Sequence, residues 1–204
     1  MTDYFNQQAA TWDSDPVKIE RAKAVAQAMR DNLTLTLSPT ALEYGCGTGL
    51  LSFALQPYLG KITLADSSDG MLAVLGEKIA ASGVTNMFPI KVDFSTDLLP
   101  PTKYQLIYSL MVLHHIPNTE MILKDFYTLL ETHGVLCVAD LEKEDGSFHA
   151  GNFSGHNGFD RDELSQKVLR AGFRKVEFKP VFQMPKRVGE VTKYFPLFLM
   201  IAEK

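Results

Sequence analysis

The sequence predicts an α/β fold built on a doubly wound, mostly parallel sheet, and three observations carry that expectation. Strand-like and helix-like periods alternate along the chain, as a βαβ arrangement requires. One strand-like run, Ala41 to Tyr44, breaks into Gly45-Cys46-Gly47-Thr48-Gly49 and resumes as Leu50-Leu51 in a helical register. A second strand-like run, Lys61 to Asp66, ends on a carboxylate about twenty residues further on. Alternate glycines let the backbone take positive φ and approach a ligand with no Cβ in the way, while a helix beginning near Gly49 aims its free N–H groups at the same spot. A carboxylate at the spacing of Asp66 accepts hydrogen bonds from ribose hydroxyls. These features place a nucleoside site at the first βα turn.

The remaining elements are taken in chain order. Val17, Ala22, Val25, Met29 and Leu33 mark an opening amphipathic helix. Leu33 to Leu37 alternates like a strand and is read as a linker. Met71, Leu72, Leu75 and Ile79 stripe a helix that Gly83 ends. A short third strand covers Pro89 to Val92, and a fourth covers Tyr104 to Leu110. Ile122, Phe126, Leu129 and Leu130 stripe the next helix, and Gly134 to Asp140 is an apolar fifth strand. Leu164, Val168 and Ala171 face inward from a last helix closed by Gly172. Lys175 to Phe182 and Tyr194 to Glu203 are strand candidates with no helix between them, so they pair as an antiparallel hairpin. The reading is a single domain over residues 1–204, with an N-terminal lid and helix over 1–33 and the core over 34–204.

With 204 residues, 46% of them hydrophobic, the chain can bury a full core in one domain. The net charge is −4 and no Lys/Arg cluster stands out, which argues against a nucleic-acid partner. Met1 to Asp15 is polar and lacks the apolar centre of a signal peptide, and Pro196 to Ala202 is too short to span a bilayer, so a cytoplasmic protein without membrane contact is expected. Cys46 and Cys137 are expected as free thiols. The oligomeric state is left open.

The wording of the glycine turn narrows the ligand. A dinucleotide fingerprint reads G-x-G-x-x-G, but here Leu50 occupies the place of the third glycine and Glu43 stands two residues before Gly45. A carboxylate there repels a pyrophosphate and suits a ligand bearing an ammonium and a sulfonium. The run resembles motif I of the class I methyltransferases that use S-adenosylmethionine (SAM), and the resemblance extends over nearly the whole chain. It implies a Rossmann-like, seven-stranded sheet ending in an antiparallel hairpin, with SAM as cofactor. Glu43, Gly45, Gly47 and Gly49 would line the turn, Asp66 would hold both ribose hydroxyls, and Ser67 and Met71 would lie along the adjoining turn and helix. Asp93, with Phe94 behind it, matches the position that meets the adenine amino group in relatives. Met71 reads as core before it reads as an adenine shelf, and Asp93 reads equally as a turn former. Ser109-Leu110-Met111-Val112-Leu113-His114-His115-Ile116-Pro117 resembles the segment beneath the methionine arm in small-molecule methyltransferases of the ubiquinone-biosynthesis type. Tyr4-Phe5-Asn6 to Trp12-Asp13 looks like that group's N-terminal lid.

The segment after the fourth strand bears on the acceptor. The Asn/Asp-Pro-Pro-aromatic run of enzymes that methylate exocyclic base amines is missing; neither cysteine stands where pyrimidine-carbon methylation needs a nucleophile, and only Glu120 is near where protein arginine methyltransferases place two glutamates. A small organic acceptor remains. If its proton must leave, a histidine near the methyl serves as base, His115 ahead of His156, with His114 and His149 as further candidates; each also reads as a structural residue. The Gly- and Phe-rich stretch 146–159 comes after the fifth strand and reads as an aromatic cover. No metal site is expected, because adjacent His114 and His115 lack a carboxylate at ligand spacing. Two other readings share the same turn. One is a catalytically silent SAM-binding module acting on a partner protein; the other is an NAD-dependent oxidoreductase, which Leu50 and Glu43 weaken.

Overall fold

The computed structural model describes residues 2–34, 38–93, 96–149 and 153–204. Seven strands form one sheet: β1 (Ala41–Tyr44), β2 (Ile62–Asp66), β3 (Met87–Lys91), β4 (Tyr104–Leu110), β5 (Leu130–Leu141), β6 (Arg174–Val188) and β7 (Val191–Glu203), in the order β3-β2-β1-β4-β5-β7-β6. The first five strands pair in parallel, and β7 lies antiparallel between β5 and β6. Chain order reverses between β1 and β4, so the crevice for a ligand opens at the carboxyl ends of these two neighbours.

Helices cover both faces, and the two-residue period of the strands sorts side chains between them. Ala22, Val25 and Met29 of α2 (Pro16–Asn32), Leu51 and Leu55 of α3 (Leu50–Leu55) and Leu75 of α4 (Asp69–Ser82) pack against Ala41, Ile62, Leu64, Leu106 and Tyr108. On the other face, Ile122 and Phe126 of α5 (Thr119–Leu129) and Leu164 and Val168 of α6 (Arg161–Arg170) meet Leu42, Tyr44, Ile107 and Val138. Helix starts are chemically marked. Asp15 accepts from the Val17 amide at 2.9 Å with Pro16 opening α2, and Ser68 and Asn118 cap α4 and α5 in the same way.

Several boundaries differ from the sequence expectation. β5 starts at Leu130, directly after α5, because Leu130 pairs with Tyr104 ahead of a register shift in the β4–β5 ladder. Its apolar side chain fits the helical stripe and the strand equally well. β3 runs from Met87 to Lys91 rather than Pro89 to Val92. The final hairpin is longer than the two alternating runs suggest, closing through Gly189-Glu190 between the paired residues Val188 and Val191, with Gly189 at φ 61°. Both outermost strands contain proline, Pro89 in β3 and Pro180 and Pro185 in β6. Residues 35–37 of the Leu33 to Leu37 linker lie outside the described residues. Both cysteines are buried free thiols, and among the described residues no helix is long and apolar enough to cross a membrane.

Candidate functional site

The three glycines after β1 have positive φ, +69° at Gly45, +52° at Gly47 and +78° at Gly49, but they serve different neighbours. A Cβ on Gly45 would stand 2.5 Å from a Val112 methyl, and one on Gly49 would stand 2.7 Å from Leu75. These two are small so that the turn can press against the loop after β4 and against α4. At Gly47 the only atom of the described residues within 4 Å of an added Cβ is Met71 Sδ, at 3.8 Å. Gly47 therefore opens onto space, and the backbone there is the floor of a cradle.

Asp66 stands beside that floor. Its Oδ2 accepts from the Gly47 amide at 2.7 Å and its Oδ1 from the Ser68 amide at 2.9 Å. A carboxylate offers roughly four lone-pair sites, so about two remain for outside donors such as a pair of ribose hydroxyls. Burial raises the Asp66 pKa, opposed by the amides of Ser68, Gly47 and Ser67. The half-buried Ser67 thus meets the site through its backbone, while Met71, 1% exposed, packs under Gly47 as core.

Glu43 is placed under the turn rather than facing the cradle. It shares its face of β1 with Ala41, toward α3, where the Ser52 hydroxyl donates to its Oε2 and also lies 2.5 Å from the Tyr108 hydroxyl. All three side chains are fully or almost fully buried. Burial pushes the Glu43 carboxyl up to about 8, with the Ser52 hydrogen bonds and Lys78 pulling the other way and Asp66 adding to the rise. At neutral pH the Glu43 carboxyl is mainly protonated.

The N-terminal segment folds over this floor. Asn6, in α1 (Thr2–Gln8), accepts through Oδ1 from the Ser68 hydroxyl at 2.7 Å and the Gly70 amide at 2.9 Å. Asp13, in the 3-10 segment Ala9–Ser14, accepts from the Thr48 hydroxyl and from Lys78 Nζ, both at 2.5 Å, and Lys78 also donates to the Thr48 carbonyl at 2.7 Å. Sequence reasoning does not single out Asn6, Asp13, Lys78 or Ser52 as site residues, because their partners are distant along the chain.

Beyond β4, Met111 turns the chain with φ 59°, a left-handed conformation rare outside glycine, into the 3-10 turn Leu113–His115. That turn sets His114 against Asp140 at the end of β5, with Nδ1 2.6 Å from Oδ1, and the His114 and Leu141 amides add 3.2 and 2.7 Å bonds to the same carboxylate. Burial alone would raise Asp140, but the charge attraction and hydrogen bonds of His114, with the two amides, hold it below the usual carboxylate value. An ionised carboxylate only accepts, so His114 Nδ1 carries a proton.

The segment after β5 brings further rings. Phe148 packs edge-on against Phe195 of β7 at 5.1 Å, and Lys193 donates to Asp145 at 2.6 Å, which anchors His149 beside the pair. Ring centroids of His114 lie 4.0 Å from His115 and 5.1 Å from His149, and Phe153 stacks on His149 at 3.7 Å. Phe5 of α1 meets His115 edge-on at 5.6 Å. Burial first, then the neighbouring histidines, push His115 down to about 3; burial, His114 and Lys186 push His149 down to about 4. Both rings are neutral at pH 7. The expectation of no metal site considered only the adjacent pair; folding adds His149 and the Asp140 carboxylate, which strand-five composition did not reveal.

His156 takes a different position from His115. Its amide donates to the His114 carbonyl at 2.8 Å, and its Nε2 lies 3.0 Å from the Ile116 carbonyl, so it ties the cover to the loop after β4. Ser109 is buried within β4 opposite Val138. Asp93 heads a turn in which its amide donates to Asp97 Oδ2 at 2.8 Å and its carbonyl accepts from the Thr96 and Asp97 amides. Phe94 and Gly151 lie outside the described residues.

The chain resembles known methyltransferases in sequence and in fold. An uncharacterised methyltransferase of Schizosaccharomyces pombe is 31% identical over 115 residues, 53% of this chain and 40% of that protein, so the match spans less than half of that relative. A SAM-dependent methyltransferase of Thermotoga maritima has a TM-score of 0.74 at 17% identity, covering all of both chains. A phosphoethanolamine N-methyltransferase of Haemonchus contortus, solved in complex with SAM, has a TM-score of 0.69 at 15% identity, covering 89% of this chain and 52% of that one. The seven-stranded sheet is that of the solved methyltransferases, residues 18–177 match the family model described as a methyltransferase domain, and the chain belongs to that family.

Proposed function

We propose that the chain methylates a small organic acceptor, held between the glycine turn and the histidine rings beyond β4. Bound SAM supplies an activated methyl for in-line displacement, which leaves placement and water exclusion to the protein. In this reading Gly47 forms the floor for the cofactor, Asp66 accepts from its ribose, and Asp93 meets the adenine amino group. His115 faces the acceptor, and His156 positions the cover. The observation that carries the reading is the Gly45–Val112 contact, which sets the cradle directly beside the loop bearing His115. Phe5 and Phe153 both pack edge-on against His115, at 5.6 and 5.4 Å, which gives this side of the loop an aromatic lining compatible with a small organic acceptor.

The test is formation of S-adenosylhomocysteine with a panel of phenols, amines, thiols and carboxylates. His115→Ala should leave the SAM dissociation constant within about twofold and lower turnover by about 10²- to 10⁴-fold, the range for loss of a proton-handling group. Weakened SAM binding with turnover preserved at saturating cofactor would move His115 to the cofactor side. A wild type that binds SAM yet yields no product with any acceptor class would favour the silent module.

A further inference from the structure

We infer that His114, His115 and His149 form a binding site for one divalent transition-metal ion of the Zn²⁺ type, with an open coordination position toward the acceptor space. One ring nitrogen from each residue lies within 4.8 Å of the other two. His114 Nε2, His115 Nδ1 and His149 Nε2 are each buried without a hydrogen-bond partner among the described residues. Three orphaned imidazole nitrogens side by side are an unusual cost, since buried polar atoms nearly always find partners. A shared cation satisfies all three at once.

The surroundings match what such an ion needs. His114 is fully buried and its Nδ1–H donates a hydrogen bond to Asp140, the tautomer that leaves a lone pair on Nε2. A carboxylate behind a ligating histidine is the common support of zinc sites, because it fixes the tautomer and strengthens the donor. Imidazole ligands suit Zn²⁺, Co²⁺ and their neighbours, whereas Mg²⁺ and Ca²⁺ require oxygen. Ligands at the usual zinc–nitrogen length of about 2.0–2.1 Å stand about 3.3 Å apart in a tetrahedron, so closure asks the rings to draw together by at most about 1.5 Å. His114 is held against Asp140 of β5, so the approach falls on the rings of His115 and His149.

Three protein ligands leave a fourth position, the arrangement of catalytic rather than structural zinc. Its role toward the acceptor rests on the function proposed above; the metal site itself does not. An acceptor hydroxyl or thiol that coordinates there loses its proton to solvent more readily, and the resulting anion attacks the methyl carbon as the carbon–sulfur bond breaks, its electron pair remaining on sulfur. The turnover loss expected of His115→Ala would then come from loss of the bound ion rather than of a side-chain base.

The decisive experiment titrates Co²⁺ into the chelator-treated full chain at neutral pH without SAM or acceptor. The expected result is uptake of one equivalent with the intense visible absorption of a four-coordinate cobalt ion, displaced by Zn²⁺. His149→Ala should weaken uptake at least about tenfold and His115→Ala similarly, with circular dichroism and SAM affinity retained; Asp140→Asn should weaken it by about 10- to 100-fold. Absence of cobalt uptake by the wild type would overturn the proposal, as would uptake that His149→Ala and His115→Ala leave unchanged. SAM binding with no cobalt uptake would reject the metal alone, whereas cobalt uptake with no methyl transfer would reject the acceptor reading alone.

Discussion

At the end of β2 the Asp66 carboxylate already accepts from two amides of its own protein, whereas beyond β4 three imidazole nitrogens are buried with no partner among the described residues. The first region is charged, self-braced and roofed by Asn6 and Asp13. The second holds its unsatisfied groups against aromatic rings. An unsatisfied buried polar group costs about 1–3 kcal/mol, so the cluster forgoes stability that the turn does not. The difference separates a cradle shaped before its ligand arrives from a cluster whose bonding is completed by one. It also implies that the two regions can be damaged independently.

Gly47→Val should produce the largest effect. A β-branched residue at φ 52° is strained, and its side chain enters the cradle, so calorimetry should find SAM affinity reduced more than about 100-fold while cobalt uptake persists. Loss of both in a folded variant would break the separation. Asp66→Ala comes next, removing charge-assisted bonds worth about 1.5–3 kcal/mol each and weakening SAM by about ten- to a hundredfold. An unchanged dissociation constant would reduce Asp66 to a brace for its loop.

The smallest effect on binding is expected from Glu43→Gln, which sharpens the comparison through pH. The folded carboxyl titrates near 8 against an ordinary value of 4.5, so between these values the folded state binds the proton and the unfolded state does not. Its contribution to stability is complete below the unfolded value and is lost as pH rises through about 8. Melting curves of the wild type should therefore decline over that window, and the variant, which keeps an acceptor for Ser52, should show a flatter profile with SAM affinity changed only a few-fold. An equally steep decline in the variant would assign the titration to another group.

The cradle was legible in the sequence because its parts are local. Glycines two residues apart and a carboxylate at the end of the next strand are set by the βαβ unit itself, and the structure joins Gly47 to Asp66 directly. The histidine cluster was only half legible. His114 and His115 are adjacent in sequence, but their partners Asp140 and His149 come from the far end of β5 and the connection after it, and only the β4–β5 ladder brings them together. Asp140 looked like the terminus of an apolar strand, with nothing local to show that its carboxylate would be buried. Glu43 was legible as a carboxylate but not in its direction, because the side on which a strand residue projects depends on which face α3 covers. The β5 boundary at Leu130 was ambiguous for a simpler reason: one apolar residue satisfies a period of 3.6 and a period of 2 alike.

The prolines in β3 and β6 have a consequence for how these molecules meet one another. Each outer strand would otherwise offer a continuous row of N–H and C=O groups to a strand from another chain. Pro89 at one margin, and Pro180 and Pro185 at the other, interrupt the donors, and Lys179, Lys186 and Arg187 add charge along the longer margin. Both margins of the seven-stranded sheet are thereby poor templates for an added strand from another copy.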